Sequence, residues 1–365
     1  MDLTLSRRDQ ARLDFVEGLK VFVGAAAVPA LRTAYDRWVA TARPDEATLR
    51  DRKAMAARWE PDPAYQVSRG LQRLSQEAMW RTVIDGLERR GPELEAALEA
   101  AAGPDKAGGS LALDPDLEMP RYYDSNEFHL QPGNYHGHPL AGPVYEVGVA
   151  TYTMHRYGKA GDEMGRALVS VLPERPYRRI LYLGCGPGYK AYPVVDAFPD
   201  AEVHAVDLSA PMLKFAHARA AGHGRRMHFH QMNAESLAFP DGHFDLVFCM
   251  LLLHEVPQSA IDAIVSEARR VLAPGGVFAN LELPSYAALD PLSAYLMDWD
   301  TLHNGEPYWR NYHEIDLAAL YEAEGLKAET VEAHSEWGGA KGNYMGRFAY
   351  HVTMGTRPDT AAAAA

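Results

Sequence analysis

Cysteine is almost missing from this chain: Cys185 and Cys249 are the only two in 365 residues. Both lie in apolar strand-and-turn surroundings, which argues against a disulfide framework and predicts reduced, buried thiols in a cytoplasmic protein. Positive charge is also in deficit. A formal net charge of −13 opposes binding nucleic acid by phosphate neutralisation and docking on anionic lipid. No apolar run approaches the length of a membrane span. The most apolar N-terminal stretch, VFVGAAAVPAL (residues 21–31), follows Asp2, Asp9, Asp14 and Glu17. A secretory signal would start basic, so the stretch reads instead as a helix ending near Pro29. No internal repeat is evident.

The composition that remains, 47% hydrophobic and 23% charged, is that of an ordinary globular protein with enough apolar residues for a sizeable core. Residues 1–102 read as a helical N-terminal region, because LRTAYDRWVATA and LQRLSQEAMWRTVIDGLERR repeat apolar residues at helical spacing. These helices either pair two chains in a homodimer or cover one site. Residues 103–120 form a linker rich in Gly, Pro and Asp. Residues 121–175 begin with a run of tyrosines and histidines among Gly and Pro, Arg121 to Gly158. Each polar ring tip needs a partner, so this stretch is a surface connector or a lid over an active site.

Residues 176–356 alternate strand and helix. RRILYLG, EVHAVD, MHFHQMN, FDLVFCML and GVFANLEL are legible strands. They predict an α/β fold, a Rossmann-like doubly wound sheet that is mostly parallel. LKAETVEAH and GRFAYHVTMG are expected to form an antiparallel hairpin at one edge. Residues 357–365, ending in TAAAAA, read as a disordered tail.

The first strand runs into Gly184, Gly186 and Gly188, where glycine permits a tight turn and close approach of backbone to ligand. A dinucleotide site prefers G-x-G-x-x-G, but Tyr189 stands at the last of those positions. Asp207 closes the next strand at the spacing of a ribose-binding carboxylate. A nucleoside is therefore supported better than a pyrophosphate, which weighs against a nicotinamide-dependent oxidoreductase.

ILYLGCGPG, AVDLSAPML, MNAESLAFPDGHFDLVFCMLLLHEV and ARRVLAPGGVF follow one another in the order seen in class I S-adenosylmethionine-dependent methyltransferases. The resemblance spans roughly residues 177–283 and is closest to the small-molecule branch that includes quinone-biosynthesis and natural-product enzymes. It implies S-adenosylmethionine as cofactor, held by the Gly184–Gly188 turn. It implies that Asp207 accepts from the ribose hydroxyls, that Met212 lies on the adenine, and that Asn233 and Ala234 meet the adenine edge. The chain departs from the family at Tyr182, where an acidic residue commonly places the cofactor ammonium. That departure keeps a non-catalytic sensor or scaffold as the rival reading.

Methyl transfer requires alignment of the acceptor and, for a hydroxyl, removal of its proton. His254-Glu255, after the strand FDLVFC, resembles the His-Asp pair of phenolic O-methyltransferases, and imidazole titrates in the right range. His254 is thus the candidate catalytic base, its orienting carboxylate coming from Glu255 or from the Asp298–Glu306 insert. The acceptor is expected to be a small molecule, with oxygen slightly favoured over carbon or nitrogen. No metal is expected: Asp298, Asp300, His303, Asn304, Glu306 and His313, like His136 and His138, show none of the usual ligand spacings.

Overall fold

The computed structural model describes residues 1–101, 103, 107–155, 162–335 and 348–359. Eight strands form one sheet: β1 (Ser110–Ala112), β2 (Arg179–Leu183), β3 (Glu202–Asp207), β4 (His228–Gln231), β5 (Phe244–Met250), β6 (Leu272–Glu282), β7 (Lys327–Ala333) and β8 (Tyr350–Thr356). Their order is β1-β4-β3-β2-β5-β6-β8-β7. Strands β1 to β6 pair in parallel, while β8 runs antiparallel to both β6 and β7. The doubly wound sheet with its antiparallel edge is as the sequence predicts. Successive residues of β2 serve opposite faces, as strand geometry requires. Ile180 and Tyr182 enter one apolar core, and Leu181 and Leu183 enter the other.

Strand order reverses between β2 and β5, since β3 and β4 extend one way and β6 the other. Open parallel sheets bind ligands at such a switch point, beyond the carboxyl ends of the strands. The glycine turn leaves β2 there, and His254 follows β5.

Two readings are corrected. The helix predicted to end near Pro29 continues, through a π-turn at Val23–Ala27 into the helix Val28–Ala42. The Val28 N–H reaches back to the Val23 carbonyl, so the bonding has already shifted register where proline's missing donor and ring would break an α-helix. The stretch read as a linker supplies β1, a short parallel edge strand on β4. The expected tail lies mostly outside the described residues, at 360–365, as do 156–161 of the connector.

The N-terminal helices share cores with the sheet domain. Leu13, Met79, Trp80 and Val83 pack with Leu140, Val144 and Phe215, the last on the helix after β3. Leu31, Met55 and Trp59 pack with Leu292, Leu296 and Trp299 of the insert after β6. Both cysteines are buried and unpaired. Among the described residues no helix is long and apolar enough to cross a membrane.

Candidate functional site

Gly184, Gly186 and Gly188 have φ of 60°, 50° and 76°, left-handed values that favour glycine. A side chain at Gly184 would also strike Leu252, whose Cδ1 lies 2.6 Å from the Cβ position. The turn is pinned to the end of β3: the Gly186 N–H donates to Asp207 Oδ2 at 2.7 Å, and the Ser209 N–H to Oδ1 at 2.9 Å. Burial pushes the Asp207 carboxyl up, against these backbone donors.

Above the turn lies a cavity with about 840 Å³ of empty space, part of it open to solvent. Gly184, Gly186, Asp207, Met212, Asn233 and Ala234 all line it. Gly188 does not: a Cβ there would meet Phe229 and Ala216, so its role is the turn and the packing beneath it. Tyr182 lines the cavity too, stacked on Phe248 with ring centroids 4.5 Å apart. Asn233 is occupied locally, accepting from the Glu235 N–H at 2.9 Å.

The connector covers this cavity with Tyr122, Tyr123, Tyr135 and Tyr145. Three of these ring tips have partners. The Tyr122 hydroxyl donates to Glu235 (2.7 Å) and that of Tyr135 to Glu255 (3.1 Å), and Tyr145 accepts from Lys190 (3.1 Å). His129, Leu130 and Asn134 hold positive φ without being glycine, a conformation that costs energy and tends to mark functional segments. Lys190 is buried, which pushes its ammonium down to about 8, and it makes no ion pair among the described residues.

A second cavity, of about 590 Å³, adjoins the first and shares Tyr145, Leu251 and Glu255 with it. Trp80, Tyr152, Leu283 and Trp309 give it aromatic and aliphatic walls, and His129 and His254 line it. The N-terminal helix Pro63–Glu88 contributes Gln76 and Trp80.

His254 is 2% exposed. Its Nδ1 lies 2.7 Å from Glu282 Oε2, while Glu282 Oε1 accepts from the Leu253 N–H at 3.1 Å. This corrects the expected source of the orienting carboxylate: Glu255 Oε1 is 3.8 Å from His254 Nε2, and the partner at Nδ1 comes from the end of β6. Burial pushes the imidazole down, but Glu282, with Glu255 and Glu306 beside it, outweighs burial and lifts the pKa to about 9. A readable signal existed in VFANLEL, where Asn280 and Glu282 interrupt a strand that is otherwise apolar. Both are fully buried, and buried polar groups demand a partner.

Next to this pair, His129 Nδ1 lies 2.7 Å from Glu306 Oε1. Burial depresses the His129 imidazole and raises Glu306 to about 8, so both are pushed toward their neutral forms. Glu255 is raised to about 7 by burial and by Glu306. The sequence had singled out His254 and Glu306. It missed His129, Lys190 and Glu282, which come from separate segments.

A glycine turn at the switch point, tied to a carboxylate at the next strand end and opening on a cavity, defines a nucleoside-cofactor protein of the doubly wound class. Residues 180–276 match the methyltransferase-domain family. A demethylmenaquinone methyltransferase of Thermus thermophilus is 35% identical over 119 residues, covering 33% of this chain and 53% of the relative. A trans-aconitate 2-methyltransferase of Deinococcus radiodurans is 33% identical over 125 residues, covering 34% and 45%. The chain thus spans about half the length of these curated relatives. An uncharacterized methyltransferase of Synechocystis is 32% identical over 168 residues, covering 45% of this chain and 73% of the relative. The chain belongs to the methyltransferase family, in the class I, S-adenosylmethionine-dependent group.

Proposed function

We propose that the chain transfers a methyl group from S-adenosylmethionine to a small-molecule acceptor, an oxygen being slightly favoured over carbon or nitrogen. The observation that carries this reading is the junction of the two cavities at Tyr145, Leu251 and Glu255. One cavity has the cofactor-type turn and the other has aromatic walls and a buried histidine–carboxylate pair.

The residues of the first cavity suit the cofactor. A carboxylate offers about four acceptor directions, so Asp207 keeps capacity for a vicinal diol beside its backbone donors. Met212 supplies an apolar face for the adenine, with Asn233 and Ala234 at its edge. Lys190, a buried cation facing the cavity without a carboxylate ion-pair partner among the described residues, suits the methionine carboxylate. S-adenosylmethionine, when bound, supplies an electrophilic sulfonium methyl. The chain's part is then to exclude water with the tyrosine cover, align the acceptor, and manage its proton at His254, which Glu282 orients. An oxygen acceptor is favoured because a hydroxyl makes use of such a pair.

An aromatic second cavity on a chain of net charge −13 supports a metabolite rather than nucleic acid as acceptor. Two buried free thiols favour a cytoplasmic setting. A homodimer through the N-terminal helices is supported by exposed Phe15 and Phe22 on one helix and Val67 and Leu74 on another; light scattering should then show dimer mass, reduced in a Phe22→Glu, Leu74→Glu variant.

The test of function is incubation with methyl-labelled cofactor and a metabolite extract. Label is expected in a small molecule, with release of S-adenosylhomocysteine. Cofactor binding without any turnover would favour the sensor reading. Replacing Asp207 with Ala should weaken S-adenosylmethionine binding by about 1.5–3 kcal/mol, the scale for hydrogen bonds to a charged group. Unchanged affinity by calorimetry in the folded variant would remove Asp207 from the site.

The connector should act as a lid. Amides in residues 121–155 are expected to exchange more slowly when cofactor and acceptor are both bound. Equal protection in free and ternary states would make the segment a plain connector.

A further inference from the structure

We propose that His129, His254, Glu255 and Glu306 form a binding site for a divalent first-row transition-metal cation at the junction of the two cavities. One ligand atom from each lies within 4.8 Å of all the others. Donors on a tetrahedron at zinc-like bond lengths stand about 3.4 Å apart, so small side-chain adjustments close the shell.

Three features mark the cluster as built for an ion rather than as a self-satisfied polar network. First, two carboxylate oxygens, Glu255 Oε2 and Glu306 Oε2, are buried with no hydrogen-bond partner, an arrangement that is costly unless something binds them. Second, His254 is held from behind: Glu282 binds its Nδ1, leaving Nε2 facing Glu255. His129 lies between the two other members, its Nε2 3.5 Å from Glu255 Oε1 and its Nδ1 2.7 Å from Glu306 Oε1. A carboxylate behind a ligating imidazole, as Glu282 is behind His254, is the usual outer support of a metal site. Third, the backbone is bent to bring the ligands together. His129 holds φ of 54°, and Gly305 holds 71°. A Cβ at Gly305 would lie 2.3 Å from the Glu127 carbonyl oxygen. Only glycine lets the insert approach the connector this closely, and the next residue is Glu306.

The four ligands come from the connector, the turn after β5 and the insert after β6, so no fixed sequence spacing announces them. Two imidazole nitrogens and two carboxylate oxygens suit Mn(II), Fe(II), Co(II) or Zn(II) better than Mg(II) or Ca(II), which prefer oxygen throughout. The catalytic meaning of the ion rests on the acceptor-cavity reading above; its binding does not. Glu255 lines both cavities, so the ion would stand beside the acceptor atom and lower the proton affinity of a hydroxyl bound to it. His254 then serves as a ligand through Nε2 rather than as the proton acceptor.

The test is titration of the metal-free, full-length chain with Co(II), read by its d–d absorption and by calorimetry. A single tight equivalent is expected, with Zn(II) displacing it. Glu306→Gln and Glu255→Gln should each weaken Co(II) by at least about tenfold, in line with losses seen on perturbing metal shells. His136→Ala and His138→Ala, on the same connector, should not. S-adenosylhomocysteine binding on the same samples checks folding and reports separately on the cofactor site. Co(II) binding without cofactor binding would support the metal site and sink the methyltransferase reading. Absence of d–d absorption, or binding indifferent to both glutamine variants, would overturn the site.

Discussion

His254→Ala is expected to cut methyl transfer by about 10²–10⁴-fold, the usual worth of a positioned acid–base group, while leaving cofactor affinity nearly intact. The separation follows from geometry. His254 lines the acceptor cavity and is absent from the lining of the cofactor cavity. The wild-type rate should climb toward pH 9, where the raised imidazole loses its proton and can accept one. Above that the variant should recover part of the loss, because a hydroxyl acceptor then ionises without help. Removing the imidazole also takes the Nδ1 partner from the fully buried Glu282, so a melting curve and S-adenosylhomocysteine calorimetry must accompany the rate. If the cation site is filled, chelation of the wild type and His254→Ala should act on the same step, and their effects should not add. Near-normal turnover at neutral pH in the folded variant would remove His254 from the mechanism. Catalysis would then rest on proximity, as for an acceptor already anionic.

How much of this was legible in the sequence depended on whether the signal is local. The glycine turn, the acidic end of β3 and the apolar strands are local patterns, and each carries its physical reason within a few residues. They gave the sheet order its parallel core and placed Gly184, Gly186, Asp207, Met212, Asn233 and Ala234 around one cavity. The acceptor side was less readable because it is assembled from distance. His129 and Glu306 are 177 positions apart, and the meeting of their side chains depends on two left-handed residues and on helices packed behind them. Glu255 follows His254 directly, yet adjacency proved a poor guide to the closest partner. In the short turn Leu253–Glu255 the His254 Nε2 stays 3.8 Å from Glu255, while its Nδ1 makes the closer contact, to Glu282 at 2.7 Å. The π-turn before Pro29 was hidden for a similar reason, since proline announces a break but not the local rewinding that accommodates it.

Trp80→Ala should carry the largest stability loss among the wall residues, about 3–5 kcal/mol for a buried aromatic truncated to alanine. Trp80 is 2% exposed and stands where the N-terminal helices meet the site. Its indole lies against Gly148, where a Cβ would fall 2.2 Å from Cζ3, so no other side chain occupies that space. Its Nε1 donates to the His129 carbonyl at 2.7 Å, which ties the connector to the helix Pro63–Glu88. Gln76 Nε2 donates to the same carbonyl at 3.1 Å, so the carbonyl keeps one partner in the variant. The loss is therefore mainly one of packing. Trp80→Phe, which keeps most of the ring contact and drops the donor, should cost only about 1 kcal/mol. Because Trp80 lines the acceptor cavity and not the cofactor cavity, the alanine variant should also raise the acceptor KM while cofactor affinity holds. Urea midpoints give the first quantity, and methyl-transfer kinetics with the acceptor found by label transfer give the second. A midpoint and KM both unchanged would reduce the N-terminal helices to an appendage. A lower midpoint with a higher KM makes them a wall of the acceptor site, with His129 held in place from behind by Trp80.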